Sequence, residues 1–277
     1  MSDPTLVEYK GNCHCGAFKF ALKAPNLASL EAIECDCSIC LKNGYLRVKP
    51  VERSFVIEKG DEGSTLVSYR FGKKDIVHKF CPTCGTSVLA RSSADPQLQD
   101  FWINFRAVKD VDFWSLPRGA PHQGSELGEA YQIPSAVQAP GPIPDGSTAY
   151  HGSCHCGSIA FTVVHRGNIT SACSCNCSSC GRSGAAWIYP LLADVAFRGV
   201  PEYATEYTFA QMDTFHGFCK VCGVEIYERF IGFTNEGEDR SLTRALNLRV
   251  MHGIDLNAVD MEKEDGKAYP PTYVVPA

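Results

Sequence analysis

The chain has 277 residues, 44% of them hydrophobic and 21% charged, with 15 cysteines and a formal net charge of −5. At roughly 100–200 residues per domain that length suits two domains, and the composition excludes a disordered chain. No apolar run approaches the roughly 20 residues that span a bilayer, and no lysine–arginine block is present to neutralise phosphates or to dock on an anionic surface, so neither nucleic acid nor membrane is an expected partner.

The opening segment MSDPTLVEYK has neither a basic n-region nor an apolar h-region, so a cytoplasmic chain is expected. In a reducing compartment cysteines serve as free thiols or metal ligands rather than as disulfides. In chain order, the first signal is Cys13-His14-Cys15, followed by a predicted strand over residues 17–22. Cys35, Cys37 and Cys40 then form C-x-C-x-x-C, with a short helix or turn expected near residues 41–43. A strand over 66–71 precedes Cys81-Pro82-Thr83-Cys84, and another is predicted over 101–108. Residues 134–147, PSAVQAPGPIPDGS, hold four prolines and read as a semi-rigid linker.

Beyond the linker the pattern returns. Cys154 and Cys156 precede a predicted strand over 158–164; Cys175, Cys177 and Cys180 precede a short helix or turn near 181–183. Strands are predicted over 206–209 and 245–251, with Cys219 and Cys222 between them, and residues 269–277 form an extended tail. GNCHCGAFKF recurs as GSCHCGSIAF at an offset of 141, CDCSIC as CNCSSC at 140, HKFCPTCG as HGFCKVCG at 138, and INFRAVKDVD as LNLRVMHGID at 143. Four blocks in one order mark a tandem duplication. The expected organisation is a first zinc domain over 1–130, a linker over 131–147 and a second zinc domain over 148–277. No segment carries a long amphipathic helix with caps, so the fold class is mostly antiparallel β with loops pinned by metal.

Tight cysteine clusters favour metal over scattered core thiols, which behave as small hydrophobes. Redox C-x-x-C pairs, a disulfide scaffold and an iron–sulfur cluster are the alternatives. Each half has an outer set, Cys13, Cys15, Cys81 and Cys84 in the first and Cys154, Cys156, Cys219 and Cys222 in the second. Four thiolates make a closed tetrahedral zinc site that contributes folding energy. The inner triplets, Cys35, Cys37, Cys40 and Cys175, Cys177, Cys180, leave a fourth position open, as catalytic zinc requires. Three thiolates already exceed the charge of Zn²⁺, so such a site suits delivery of a thiolate better than activation of water. The competing readings are one shared structural cluster, or a triplet closed by another residue. In the second half Cys173, where the first has Ile33, is either such a fourth ligand or a buried thiol.

Other recurring residues are read as supporting groups. His14 and His155 sit inside the C-x-C pairs and His78 and His216 three residues before the closing C-x-x-C; they are metal ligands or, with enough cysteines present, packing and supporting groups. Asn104 with Arg106, and Asn247 with Arg249, either contact substrate or hold the metal loops. Lys42 and Arg182 either receive a substrate carboxylate or are solvated loop residues.

The motifs G-S-C-H-C-G, C-x-C-S-x-C, F-C-x-x-C-G and the late N-x-R-x-x-x-x-x-D resemble those of the glutathione-dependent formaldehyde-activating enzyme family, which also includes centromere protein V. The resemblance implies two β-tent domains of antiparallel sheets. It implies a structural zinc on each outer set and a catalytic zinc on each triplet, two per domain. The family's namesake activity adds glutathione to formaldehyde, formally the reverse of a carbon–sulfur lyase. A small thiol such as glutathione and a carbonyl compound are therefore the expected partners. The rival reading is a zinc-stabilised interaction module without chemistry. The tandem arrangement and Cys173 depart from the family pattern.

Overall fold

The computed structural model describes residues 5–92 and 101–277. The chain falls into two compact units: Met1–Tyr131 with Gly181–Gly184 and Val274–Ala277, and Gln132–Cys180 with Ala185–Tyr273.

The first unit contains β1 (Leu6–Asn12), β2 (Lys19–Pro25), α1 (Ser38–Lys42), β3 (Arg47–Val48), β4 (Val56–Lys59), β5 (Val67–Tyr69), β6 (Ile76–Phe80), β7 (Ser87–Ser92) and β8 (Phe101–Asn104). They form a three-stranded sheet, β1-β2-β4, and a five-stranded sheet, β3-β8-β7-β6-β5. Every pairing between these strands is antiparallel. Phe18, Phe20, Leu46, Phe80, Ile103 and Phe105 lie almost wholly out of water and fill the core. Burying a side chain of this size contributes about 1.5–3 kcal/mol.

The second unit repeats the plan with β9 (Ser147–Ser153), β10 (Ala160–Arg166), β11 (Ser171–Cys175), β12 (Trp187–Ile188), β13 (Val195–Arg198), β14 (Ala204–Thr208), β15 (Thr214–Cys219), β16 (Glu225–Phe230), β17 (Arg244–Asn247) and β18 (Asp260–Glu264); α2 (Cys180–Ser183) follows β11. Its small sheet is β13-β10-β9 and its large one is β14-β15-β16-β17-β12-β11-β18. The last two strands are additions to the common five, and β11 pairs with β18 in parallel. In the first unit the same connections shrink to isolated bridges, Ile33 with Arg47, Ala32 with Arg118 and Cys35 with His122. The chain is thus two mostly β domains in tandem, antiparallel apart from this one parallel connection in each.

The six predicted strands are present, with one systematic difference. The segments expected to run to 108 and 251 leave the sheet at Asn104 and Asn247 and turn into 3-10 helices, Phe105–Ala107 and Leu248–Val250. Each asparagine side chain accepts a hydrogen bond from the backbone N–H two residues on, at Arg106 and Arg249. That local bond competes with the ladder and ends the strand. The expected helix or turn after each triplet is α1 or α2, beginning earlier than predicted, so that Cys40 and Cys180 are themselves helical. Among the described residues no helix is long and apolar enough to cross a membrane.

The glycines opening the G-x-C-H-C-G blocks have a packing reason. Gly11 pairs across the ladder with Phe20, and Gly152 with Phe161. A Cβ at Gly152 would lie 2.3 Å from the Phe161 ring, and one at Gly11 would lie 2.2 Å from the Phe20 ring. The ring lies flat over the bare backbone and is fully buried there. Gly152→Ala is expected to cost about 1–3 kcal/mol by overpacking, read as a lower melting temperature. The penalty should shrink when Phe161→Ala is added; a melting temperature unchanged by Gly152→Ala contradicts this packing.

Candidate metal centres

Each outer set is assembled from two turns. Cys13 and Cys15 follow β1, and Cys81 and Cys84 occupy the turn between β6 and β7. That turn closes through the Gly85 N–H on the Cys81 carbonyl at 2.9 Å, with Gly85 at φ +71°, a left-handed conformation natural to glycine. Cys219, Cys222 and Gly223 repeat the device in the second unit. The four sulfurs converge in both units. Cys13 to Cys15 and Cys15 to Cys81 are each 3.6 Å; Cys154 to Cys156 is 3.5 Å and Cys156 to Cys219 is 3.6 Å. A disulfide would need about 2.05 Å, whereas the edge of a tetrahedron with Zn–S bonds of about 2.3 Å is about 3.8 Å. The separations fit a metal-binding quartet, not a bonded pair.

The charge pattern agrees. Burial pushes the Cys84 thiol up, but hydrogen bonds from Cys13, Cys15 and Cys81 hold it well below the ordinary thiol range. Cys156 is held low in the same way by Cys154, Cys219 and Cys222. The backbone N–H of Phe18 also donates to Cys13 Sγ, and that of Ile159 to Cys154 Sγ, each at 3.2 Å. Each cluster therefore gathers a thiolate among hydrogen-bond donors, which is the state a divalent cation would replace.

The inner triplets converge as well, as three sulfurs with no fourth ligand atom joining them among the described residues. Cys37 stands at the N-cap of α1, and Cys40 lies within it. In the second unit the backbone N–H of Cys177 donates to Cys175 Sγ at 3.3 Å, and that of Cys180 donates to Cys177 Sγ at 3.4 Å. Hydrogen bonds from Cys37 and Cys40 bring the Cys35 thiol down to about 2, and Arg47 assists by charge. Cys177 and Cys180 bring Cys175 down to about 3, and the Gly266 N–H assists.

The triplets have a covering segment that spacing did not disclose. A 3-10 turn, Gly124–Glu126, passes over the first triplet, and another, Gly266–Ala268, over the second. A Cβ on Gly124 would lie 2.5 Å from Cys35 Sγ, and one on Gly266 would lie 2.5 Å from Cys175 Sγ. Only a glycine lets backbone approach sulfur so closely. Ser125 ties the first strap down, its N–H and Oγ each donating to Asp36 at 2.7 Å. Asn176 ties the second, donating to Asp265 Oδ1 at 2.7 Å and accepting from the Lys267 N–H at 2.9 Å. The detectable signal was a fifth repeat, Gly124 against Gly266, at an offset of 142.

Cys173 stands outside the second triplet. β11 ends at Cys175, so Cys177 does not continue the face that carries 173 and 175. The Cys173 side chain instead hydrogen-bonds with Tyr189, and burial raises its pKa. Asn104 and Asn247 are buried. Asn104 Nδ2 donates to the Ser87 carbonyl at 3.0 Å, and Asn247 Nδ2 to that of Glu225 at 2.9 Å. Arg106 Nε donates to the Gly44 carbonyl, just past α1, at 2.6 Å. These residues hold the metal loops, as one of the two readings had it. Lys42 and Arg182 are buried rather than solvated, at 5% and 8% exposure; Lys42 Nζ sits 5.7 Å from the centre of the Tyr131 ring.

The histidines at matching positions differ sharply. His78 lies between Tyr45 and Phe71 with Nδ1 buried and unbonded, and burial lowers its pKa to about 4. His216 Nδ1 lies 2.9 Å from Glu225 and 3.1 Å from Glu228. Burial works against its charge, but the two carboxylates carry the pKa up to about 10. These three buried side chains form a further His–Glu–Glu group, invisible in a cysteine search.

The sequence model of the glutathione-dependent formaldehyde-activating enzyme family matches residues 8–109 and 149–245. Both matches contain a quartet and a triplet. A crystal structure of a Rhodobacter sphaeroides protein is similar at 26% identity, with a TM-score of 0.34, covering 40% of this chain and 99% of that one.

At pH 7 His78 is expected to be neutral and His216 charged, which imidazole NMR shifts would report. Against an unfolded value of about 6.5, the His78 contribution to stability is present above that pH and is lost as pH falls toward about 4. The His216 contribution is present below about 6.5 and is lost as pH rises through about 10. Two histidines titrating together near neutrality would contradict these environments.

Proposed function

The chain belongs to the glutathione-dependent formaldehyde-activating enzyme family, and from that premise we propose that it is a zinc-dependent enzyme of carbon–sulfur lyase type. It adds or removes a small thiol, such as glutathione, at formaldehyde or another small carbonyl compound. The observation that carries this reading is the triplet, three convergent sulfurs without a fourth protein ligand among the described residues.

Cys13, Cys15, Cys81 and Cys84, with Cys154, Cys156, Cys219 and Cys222, would each hold a structural zinc. Cys35, Cys37 and Cys40, with Cys175, Cys177 and Cys180, would each hold a zinc with a free position. When bound there, zinc supplies a place where an incoming thiol loses its proton and becomes a nucleophile at neutral pH.

The chain's own residues set the stage for that chemistry. The quartets tie the turn after the first strand of each unit to a late hairpin, while the triplets lie at the short helices α1 and α2. Backbone N–H groups of Cys177, Cys180 and Gly266 direct positive dipole toward the second triplet and stabilise its sulfur charge. Gly124 and Gly266 bring backbone close against Cys35 and Cys175, on one side of each triplet. Asp36 with Ser125, and Asn176 with Asp265, hold those straps in place.

The test compares triplet and quartet variants. Cys37→Ser combined with Cys177→Ser should lower formation of S-hydroxymethylglutathione by at least about 100-fold, with the melting temperature and the structural zinc content retained. Cys84→Ser should instead release a structural zinc and unfold the first unit, because such metal binding is folding free energy. Full turnover in the double triplet variant rejects the proposed site.

A further inference from the structure

The two triplets share a backbone plan but not their surroundings. In the first unit Arg47 pairs across the ladder with Asn104; in the second, Trp187 pairs with Asn247. This position faces the triplet, since Trp187 Nε1 donates to Cys180 Sγ at 3.3 Å. A second neighbour differs too. Ala90 pairs with His78, whereas Glu228 pairs with His216. Glu228 Oε1 accepts from Cys180 Sγ at 3.5 Å, so that position also reaches a triplet sulfur. A third difference lies behind it, where Ser87 is replaced by Glu225.

The first triplet therefore has a guanidinium and no carboxylate at these three positions. The second has an indole and two carboxylates, the latter sharing the His216 imidazole at 2.9 and 3.1 Å. Arg47 has one face on the Trp102 ring, 5.0 Å from its centre, and its Nε is buried without a hydrogen-bond partner. A buried donor left unpaired is costly and is relieved by an acceptor that arrives with a ligand. Arginine matches a carboxylate in geometry as well as in charge.

Building on the thiol–carbonyl reading above, we infer that the two halves have divided their roles: Arg47 makes the first triplet the binding site for a thiol that bears carboxylates, and Glu228 makes the second triplet reject such a thiol. At the second site the Trp187 indole and the Glu228 carboxylate both lie against Cys180 Sγ, and the carboxylate disfavours a negatively charged thiol even though His216 offsets part of the acidic charge behind it. Arg47 is a specificity-determining residue, set to hold a carboxylate of the ligand while the ligand's sulfur is directed at Cys35, Cys37 and Cys40.

Calorimetric titration of the zinc-loaded full chain with glutathione, and separately with uncharged 2-mercaptoethanol, tests this. Wild type should bind one glutathione per chain, and Cys37→Ser should lose it. Arg47→Ala should weaken glutathione by about tenfold or more, the scale of a charged hydrogen bond, and should weaken 2-mercaptoethanol, which has no carboxylate to lose a partner, far less. Arg47→Lys keeps the charge but not the planar fork and should recover part of the glutathione affinity. Equal binding of two glutathiones per chain, retention of binding in Cys37→Ser, or equal weakening of both thiols by Arg47→Ala would each overturn the inference. The two readings fail separately. Glutathione bound as expected, but without turnover of any carbonyl compound, rejects the lyase reading and supports the role of Arg47. Turnover with two equivalent glutathione sites does the reverse.

Discussion

Buried sulfur is the constraint from which the rest follows. Each unit brings four thiols to one point, with Cys15 and Cys156 each 3.5–3.6 Å from two neighbouring sulfurs, and three more thiols to another. Thiolates so close repel one another in a medium where Coulomb energies are several times those in water. Partial protonation shares the charge among them, and a divalent cation removes the conflict. The metal would then close a loop of more than sixty residues between the turn after the first strand and a late hairpin. That kind of cross-link matters most where a small β domain must fix distant segments.

Duplication preserved this framework and varied its surroundings. Glycine under a phenylalanine ring, glycine after each C-x-x-C, asparagine ending a strand and glycine over each triplet all occur twice. They are backbone requirements, and few substitutions satisfy them. The residues that set charge around the triplets changed freely, from Arg47, Ser87 and Ala90 to Trp187, Glu225 and Glu228. Trp187 and Glu228 reach a triplet sulfur from the sheet without disturbing the ladder, so electrostatics could diverge while geometry stayed constant.

Much of this plan was legible in the sequence because ligand spacing is a local property. C-x-C, C-x-C-x-x-C and C-x-x-C-G mark turns that aim sulfurs together, and their recurrence marks two domains. What escaped was contact between segments that carry no motif. The straps contain no cysteine and only one matched glycine. The parallel pairing of β11 with β18 joins residues too far apart for periodicity to register. Strand ends at Asn104 and Asn247 depended on a side chain bonding to backbone two residues on, which competes with the β pattern rather than showing in it. Burial of Lys42 and Arg182 could not be read from residue type, since long cationic side chains are usually solvated.

The central claim is that the triplets keep a vacant coordination position while the quartets do not. Zinc K-edge X-ray absorption on the full chain addresses it directly. A mixture of four-sulfur sites and sites with three sulfurs and one lighter atom is predicted, with sulfur at about 2.3 Å. Adding glutathione should exchange the lighter atom for sulfur and raise the mean sulfur count. A four-sulfur shell at every zinc before the thiol is added, unchanged afterwards, would contradict the account.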